Sequence, residues 1–215
     1  MNRTMIKHHL TDALLMGYSA GTLPEAFNLV VATHISMCDT CRAALAEFDA
    51  VGGEVMMQTD ASDLDADSFA ATMALIANGP TVKEPKPANN NLPQPLQDYV
   101  QSSLSDVKWR KIGGGVSQLV LETSNDATVR LLKIPAGTAL PDHGHHGTEL
   151  TLVLQGAFVD DTDRFAAGDV EVANEDLHHT PVAEAGADCI CLAATDAPLQ
   201  FKGIIPRIAQ RFIGI

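Results

Sequence analysis

Residues 79–95 read GPTVKEPKPANNNLPQP, a stretch that holds five of the eleven prolines and no apolar periodicity. Proline removes a backbone donor and fixes φ, so neither a helix interior nor a central strand can run through such a segment. The chain must therefore fold on either side of it. Largely extended, the segment could span up to roughly 45 Å, so the flanking parts need not share a core. With 215 residues available, two domains of ordinary size fit. The expected division is residues 1–80, a linker over 81–95, and residues 96–215.

The texture before the linker is helical. Thr11 and Asp12 open a pattern that puts Leu14, Leu15 and Tyr18 on one side, and Gly21 stops it. Thr22-Leu23-Pro24-Glu25 reads as a capping box with proline in the first turn, launching a helix through Phe27, Val30 and Val31 to His34. A third helix is expected from Cys41 to about Val51, ended by Gly52-Gly53, and a fourth over 63–77, with acidic residues in its first turn. That fourth helix carries Phe69, Thr72, Met73 and Ile76 along one side.

Residues 34–41 read HISMCDTC and include two of the chain's four cysteines. On one continuous helix His34, Cys38 and Cys41 would lie within about 60° of one another, at ~100° per residue. If the helix breaks near Asp39, Cys38 and Cys41 still form the C-x2-C knuckle of zinc sites. A structural zinc takes four ligands, and the fourth has to come from His8 or His9, the other histidines before the linker. Two thiolates neutralise one Zn²⁺ locally, which lowers the cost of burying it.

After the linker the sequence changes to short apolar runs separated by turn signals: VSQLVLET, TVRLLKIP, LTLVLQGAFV, DVEVA and DCICLAA. Their spacing predicts an antiparallel β-sandwich or barrel. Within it GTALPDHGHHGTELTLVLQG keeps the spacing G-x5-H-x-H-x3-E-x6-G, and on an extended strand His143, His145 and Glu149 would share a face. Cys189 and Cys191 point the same way on one strand, where core packing suits them better than chemistry. His146 is expected in solvent or behind the cluster. The apolar, basic tail FKGIIPRIAQRFIGI would cover a sheet edge.

Both halves resemble known modules. DALLMGYSAGTLPEAFNLVVATHISMCDTC is similar to the zinc-binding anti-sigma domain, marked by a distal His followed by H-x3-C-x2-C. That resemblance implies zinc on His9, His34, Cys38 and Cys41, in a four-helix domain that clamps an extracytoplasmic-function sigma factor. The spacing over 137–156 is the first cupin motif. The second is eroded: Gly168-Asp169 is present, but EDLHHTP replaces the usual arrangement. Similarity to sigma-antagonist cupins makes His179, just before Thr180-Pro181, the fourth ligand beside His143, His145 and Glu149, with His178 as the alternative. Three imidazoles and a carboxylate accept zinc, manganese, iron or nickel, so availability decides the metal, and zinc is the first expectation.

Taken together the chain resembles the ChrR-type anti-sigma factors, in which a zinc anti-sigma domain precedes a single cupin. The implied fold is α+β: a small all-α zinc-binding domain, then an antiparallel jelly-roll barrel. The implied function is inhibition of an extracytoplasmic-function sigma factor and its release under singlet-oxygen or related oxidative stress, with the cupin needed for the response. No catalytic residue is assigned. The competing expectation is a cupin dioxygenase or isomerase with a helical accessory domain.

Composition bears on the partners. The net charge of −13 is shared, with three Lys/Arg against ten Asp/Glu in residues 1–80 and nine against sixteen in residues 96–215. Such acidity argues against direct nucleic-acid binding and favours a basic protein partner. No apolar run reaches the length of a membrane span, and MNRTMIKHHL lacks a secretory signal's apolar stretch, so a cytoplasmic location is expected. Homodimerisation of the free protein is left open.

Overall fold

Thr11 is the first structural stop and start: its hydroxyl accepts from the Leu14 N–H at 3.3 Å and opens α1 (Asp12–Ser19), after which Gly21 turns the chain at φ +66. The computed structural model describes residues 5–79, 92–100 and 103–201. α2 (Glu25–Met37) follows Pro24, but the expected capping box is not formed. Thr22 instead donates its hydroxyl back to the Gly17 carbonyl, 3.2 Å away. α3 (Asp39–Met57) runs straight through Gly52 and Gly53, the expected stop. Glycine costs a helix about 1 kcal/mol against alanine without forbidding it, and neither residue adopts a positive φ.

α4 (Ser68–Asn78) begins later than the acidic run at 63–67 suggests, and none of its residues is buried. The linker's residues 80–91 lie outside the described residues. Its last part belongs to the packed structure, since Leu92 is buried and a single turn, α5 (Gln94–Gln97), follows Pro93. Leu92, Leu96 and Val100 seat α5 against α2, and the Tyr99 hydroxyl donates to Glu25 Oε1 at 2.8 Å.

The rest is antiparallel sheet: β1 (Arg110–Gly113), β2 (Val116–Leu121), β3 (Thr128–Ile134), β4 (His143–His145), β5 (Glu149–Gln155), β6 (Ala157–Val159), β7 (Arg164–Ala166), β8 (Val170–Ala173), β9 (His178–His179), β10 (Val182–Ala183), β11 (Cys189–Thr195) and β12 (Leu199–Phe201). A six-stranded sheet runs in the order β1-β2-β3-β11-β5-β8. Two three-stranded sheets, β10-β6-β7 and β12-β4-β9, complete the barrel. Beyond Phe201 the tail, expected over a sheet edge, lies outside the described residues.

The large sheet is covered on both faces. Inward, Val153, Cys189 and Cys191 pack with Phe158 and Phe165. Outward, Leu131, Leu150, Leu152 and Leu192 join Phe27, Val30 and Val31 of α2 in one continuous core. Two-sided burial explains why β11 reads as an unbroken apolar run, CICLAA, rather than alternating. The linker's length permits two independent bodies, yet the helical part and the barrel share a core.

Candidate metal centres

The first centre is built where two helices meet. Cys38 closes α2 and opens α3, with extended backbone at φ −111 and ψ 108, so the helix breaks at the cysteine itself. Its Sγ accepts from the Cys41 N–H at 3.4 Å, which places a sulfur at a helix N-terminus, where negative charge is favoured. His34, one turn before the break, points its Nε2 at Cys41 Sγ, 3.3 Å away. His9 comes from the irregular segment ahead of α1, with Nδ1 at 3.3 Å from Cys38 Sγ and 3.6 Å from Cys41 Sγ.

The donor atoms of His9, His34, Cys38 and Cys41 all lie within 4.8 Å of one another. A tetrahedral zinc with bonds of about 2.3 Å to sulfur and 2.0 Å to nitrogen sets S and N about 3.5 Å apart, so the four side chains fit the ion. Their protonation fits as well. Burial pulls the His34 imidazole down to about 4, only partly offset by the Gly168 backbone beside it, so the ring is neutral as a ligand must be. Burial also pushes the Cys41 thiol up to about 11, so only a cation would strip its proton near neutral pH. His8 is turned away and bonds Asp163 instead.

The second cluster is assembled across strands. β4 pairs with β9 so that His143 sits opposite His179, and His145 lies two residues along the same face. Gly144 leaves room between them for the His178 ring, which a Cβ would strike. Three of the residues converge: one nitrogen each of His143, His145 and His179 falls within 4.8 Å of the others, and all three are buried. The Nε2 atoms of His145 and His179 are 3.4 Å apart, close to the roughly 3.3 Å that a tetrahedral ion would impose. His178 and His146 are exposed.

Glu149 stands at the rim of this group. Its Oε2 is 3.9 Å from His145 Nδ1, and its Oε1 accepts from the Thr151 hydroxyl at 3.0 Å. Its carboxylate, expected as the fourth ligand, is not among the converged donors.

Sequence reading missed two carboxylates behind His179. Asp160 Oδ2 is 2.7 Å from His179 Nδ1 and Glu171 Oε1 is 3.3 Å from it, with all three side chains buried. Burial works against a charged His179, but the bonds to Glu171 and Asp160 outweigh it and lift the ring to about 9. Burial pushes Glu171 up to about 7. It also opposes the charge on Asp160, yet hydrogen bonds from Glu171, Thr162, His179 and the Asp163 backbone hold that carboxyl well below the usual range. To bind a metal His179 would have to give up its Nε2 proton, and a carboxylate on Nδ1 then fixes the tautomer that offers Nε2, while His143 is oriented likewise by the Pro141 carbonyl at 2.9 Å. Glu171 gave no signal, since the alternation of DVEVA reads it as the solvent-facing residue between two valines. Asp160, in a polar turn, had none. Cys189 and Cys191 are free and buried, with sulfurs 3.5 Å apart among the barrel's apolar side chains.

The protein thus joins a helical part with a His/Cys centre to a barrel with a histidine cluster. Residues 97–198 match the ChrR cupin-like domain. The chain is 56% identical over 213 residues to the anti-sigma-E factor ChrR of Cereibacter sphaeroides, covering 98% of this chain and 99% of that protein. The crystal structure of Rhodobacter sphaeroides SigE in complex with the anti-sigma ChrR matches with a TM-score of 0.80 at 57% identity, over 89% of this chain and 100% of the matched one. The chain belongs to the ChrR family of anti-sigma factors, regulators rather than enzymes.

Proposed function

We propose that the chain captures an extracytoplasmic-function sigma factor with its helical part and releases it under singlet-oxygen or related oxidative stress, the cupin being required for release. The observation that carries the capture is apolar surface that the described residues leave uncovered. Phe69, Leu75 and Ile76 of α4 are 77%, 75% and 69% exposed, and Val55, Met56 and Met57 at the end of α3, the preceding helix, are exposed as well. Apolar side chains exposed in such number on two consecutive helices mark surface that a protein partner can bury. The relative solved in complex with SigE supports this reading of the partner.

In this reading zinc sits on His9, His34, Cys38 and Cys41 and would supply the cross-link that fixes the α2–α3 elbow from which the face is presented. A second divalent ion, zinc first, sits on His143, His145 and His179 with Glu149 swinging in. Residues 1–80 make the clamp and residues 96–215 the responsive barrel. No helix among the described residues is long and apolar enough to cross a membrane, and capture of a polymerase subunit belongs in the cytoplasm. The charge of −13 suits a protein partner and not a phosphate backbone. Transcription from a sigma-dependent promoter, with and without a photosensitiser, tests it. Expression should be silent in the dark and induced in the light for the wild type, and His143→Ala should blunt induction. Unchanged induction in that variant removes the cupin from the response.

A further inference from the structure

The segment that carries His9 has no regular secondary structure from residue 5 to residue 11, so no ladder of its own fixes that imidazole. The barrel instead holds the two residues before it. The N–H groups of Lys7 and His8 donate to one oxygen, Asp169 Oδ1, at 2.6 and 3.0 Å, and the Val170 N–H approaches the His8 carbonyl at 3.4 Å. The other oxygen of Asp169 accepts from the Ala166 N–H at 2.9 Å, which locks the carboxylate into its own turn. His8 holds a second point, with Nε2 at 3.1 Å from Asp163 Oδ2 and its ring against Phe165. Gly168, at φ +96, lets Ile6 close in: a Cβ there would lie 2.7 Å from Ile6 Cγ1. The same Gly168 backbone lies beside His34. One member of the first centre, His34, and the segment that carries another, His9, therefore meet one turn of the barrel.

The contacts continue to the second cluster. The N–H groups of Thr162 and Asp163 donate to Asp160 Oδ1 at 2.8 and 3.1 Å, and the other oxygen of Asp160 holds His179. One turn thus has a cupin histidine at one end and His8 at the other.

We propose that Asp169 and Asp163 are positioning residues for the zinc centre, and that the turn from Asp160 to Asp163 links the state of His179 to the hold on His9. The inference rests on the zinc reading above. Withdrawal of Asp160 from the turn would slacken Asp163, then His8, then the ligand beside it. Loss of a group that orients a metal-bound histidine lowers metal affinity by about 10- to 100-fold. The first ligand to loosen would be His9, the one drawn from outside the helices.

The test uses the full-length, zinc-loaded protein. Zinc transfer to 4-(2-pyridylazo)resorcinol is followed together with iodoacetamide labelling of Cys38 and Cys41, which assigns release to this centre by mass. Labelling should be about tenfold faster in Asp169→Ala and several-fold faster in His8→Ala and Asp160→Asn. Asp188→Ala, at a surface ion pair with Lys133, should match the wild type. If circular dichroism shows that Asp169→Ala unfolds the barrel, His8→Ala, which leaves the backbone clasp intact, decides. Rates within twofold of wild type for Asp169→Ala and His8→Ala overturn the proposal. A normal rate in Asp160→Asn alone overturns the link to His179. Wild-type labelling that zinc does not slow would refute the zinc reading itself.

Discussion

The two clusters solve one problem with opposite means. Cys38 and Cys41 are three residues apart and His34 is one helical turn away, so most of the first centre is written in a single local stretch. The second draws on β4 and β9, more than thirty residues apart, and is backed by Asp160 and Glu171 from two further places in the chain. A local centre can decide whether its segment folds, whereas a centre spread over paired strands is held by a barrel that folds around it. In the proposed reading the first is structural and the second free to change state, and each part of that contrast can be broken.

The largest effect is expected from removing a thiol of the first centre. Structural zinc supplies an apparent ~10–16 kcal/mol, comparable with the ~5–15 kcal/mol stability of a whole domain. Cys38→Ala or Cys41→Ala should lose one equivalent of zinc by metal analysis and weaken sigma capture by more than about 100-fold. A zinc-free variant that still captures would show the centre to be dispensable.

Charging α4 comes next. Phe69→Asp with Ile76→Asp places two charges on a face that buries nothing in the free protein, so the melting temperature should stay put. Capture should weaken by about 2 kcal/mol or more, roughly thirtyfold in Kd by calorimetry. Unfolding instead would mean that the face belongs to the core.

The second cluster should tolerate loss. His145→Ala should remove the barrel's metal but lower the melting temperature only by about 4–8 °C, for roughly 2 kcal/mol of lost packing and hydrogen bonding. Collapse of the barrel would erase the contrast.

The legibility of each region follows the same division. H-x3-C-x2-C and the cupin spacing were readable because each lies within twenty residues, and the helix–linker–strand order followed from period and proline content. His9 over His8 was not readable, because the choice depends on Asp163 catching His8 from 155 residues away. His179 over His178 depends on which way β9 faces, and Asp160 becomes visible only once the turn that follows β6 is set beside His179. The burial of α2 against the large sheet was hidden too, since a long linker is compatible with both contact and separation. Gly52-Gly53 misled because their cost is modest against a helix extending on both sides.

The smallest effect concerns the seam between the two regions. Glu25 on α2 accepts from the Tyr99 hydroxyl and the Ser124 N–H, and those two bonds hold its carboxyl below the ordinary range. Because the folded value is depressed, the contribution is present above the unfolded value, near 4.3, and is lost as pH falls through the folded one. Glu25→Gln should lower the melting temperature at pH 7 by no more than about 2 °C and converge with wild type in acid. An equal difference at pH 7 and pH 3 would place the effect in packing rather than charge.

Titration calorimetry of the full-length protein into its purified sigma factor, before and after stripping the thiol-bound zinc, bears most directly on the helical centre as the scaffold of capture. The expected result is one-to-one binding by the zinc-loaded protein, lost on stripping, and retained by His145→Ala with its barrel metal gone. Equal affinity with and without zinc on Cys38 and Cys41 would contradict the account.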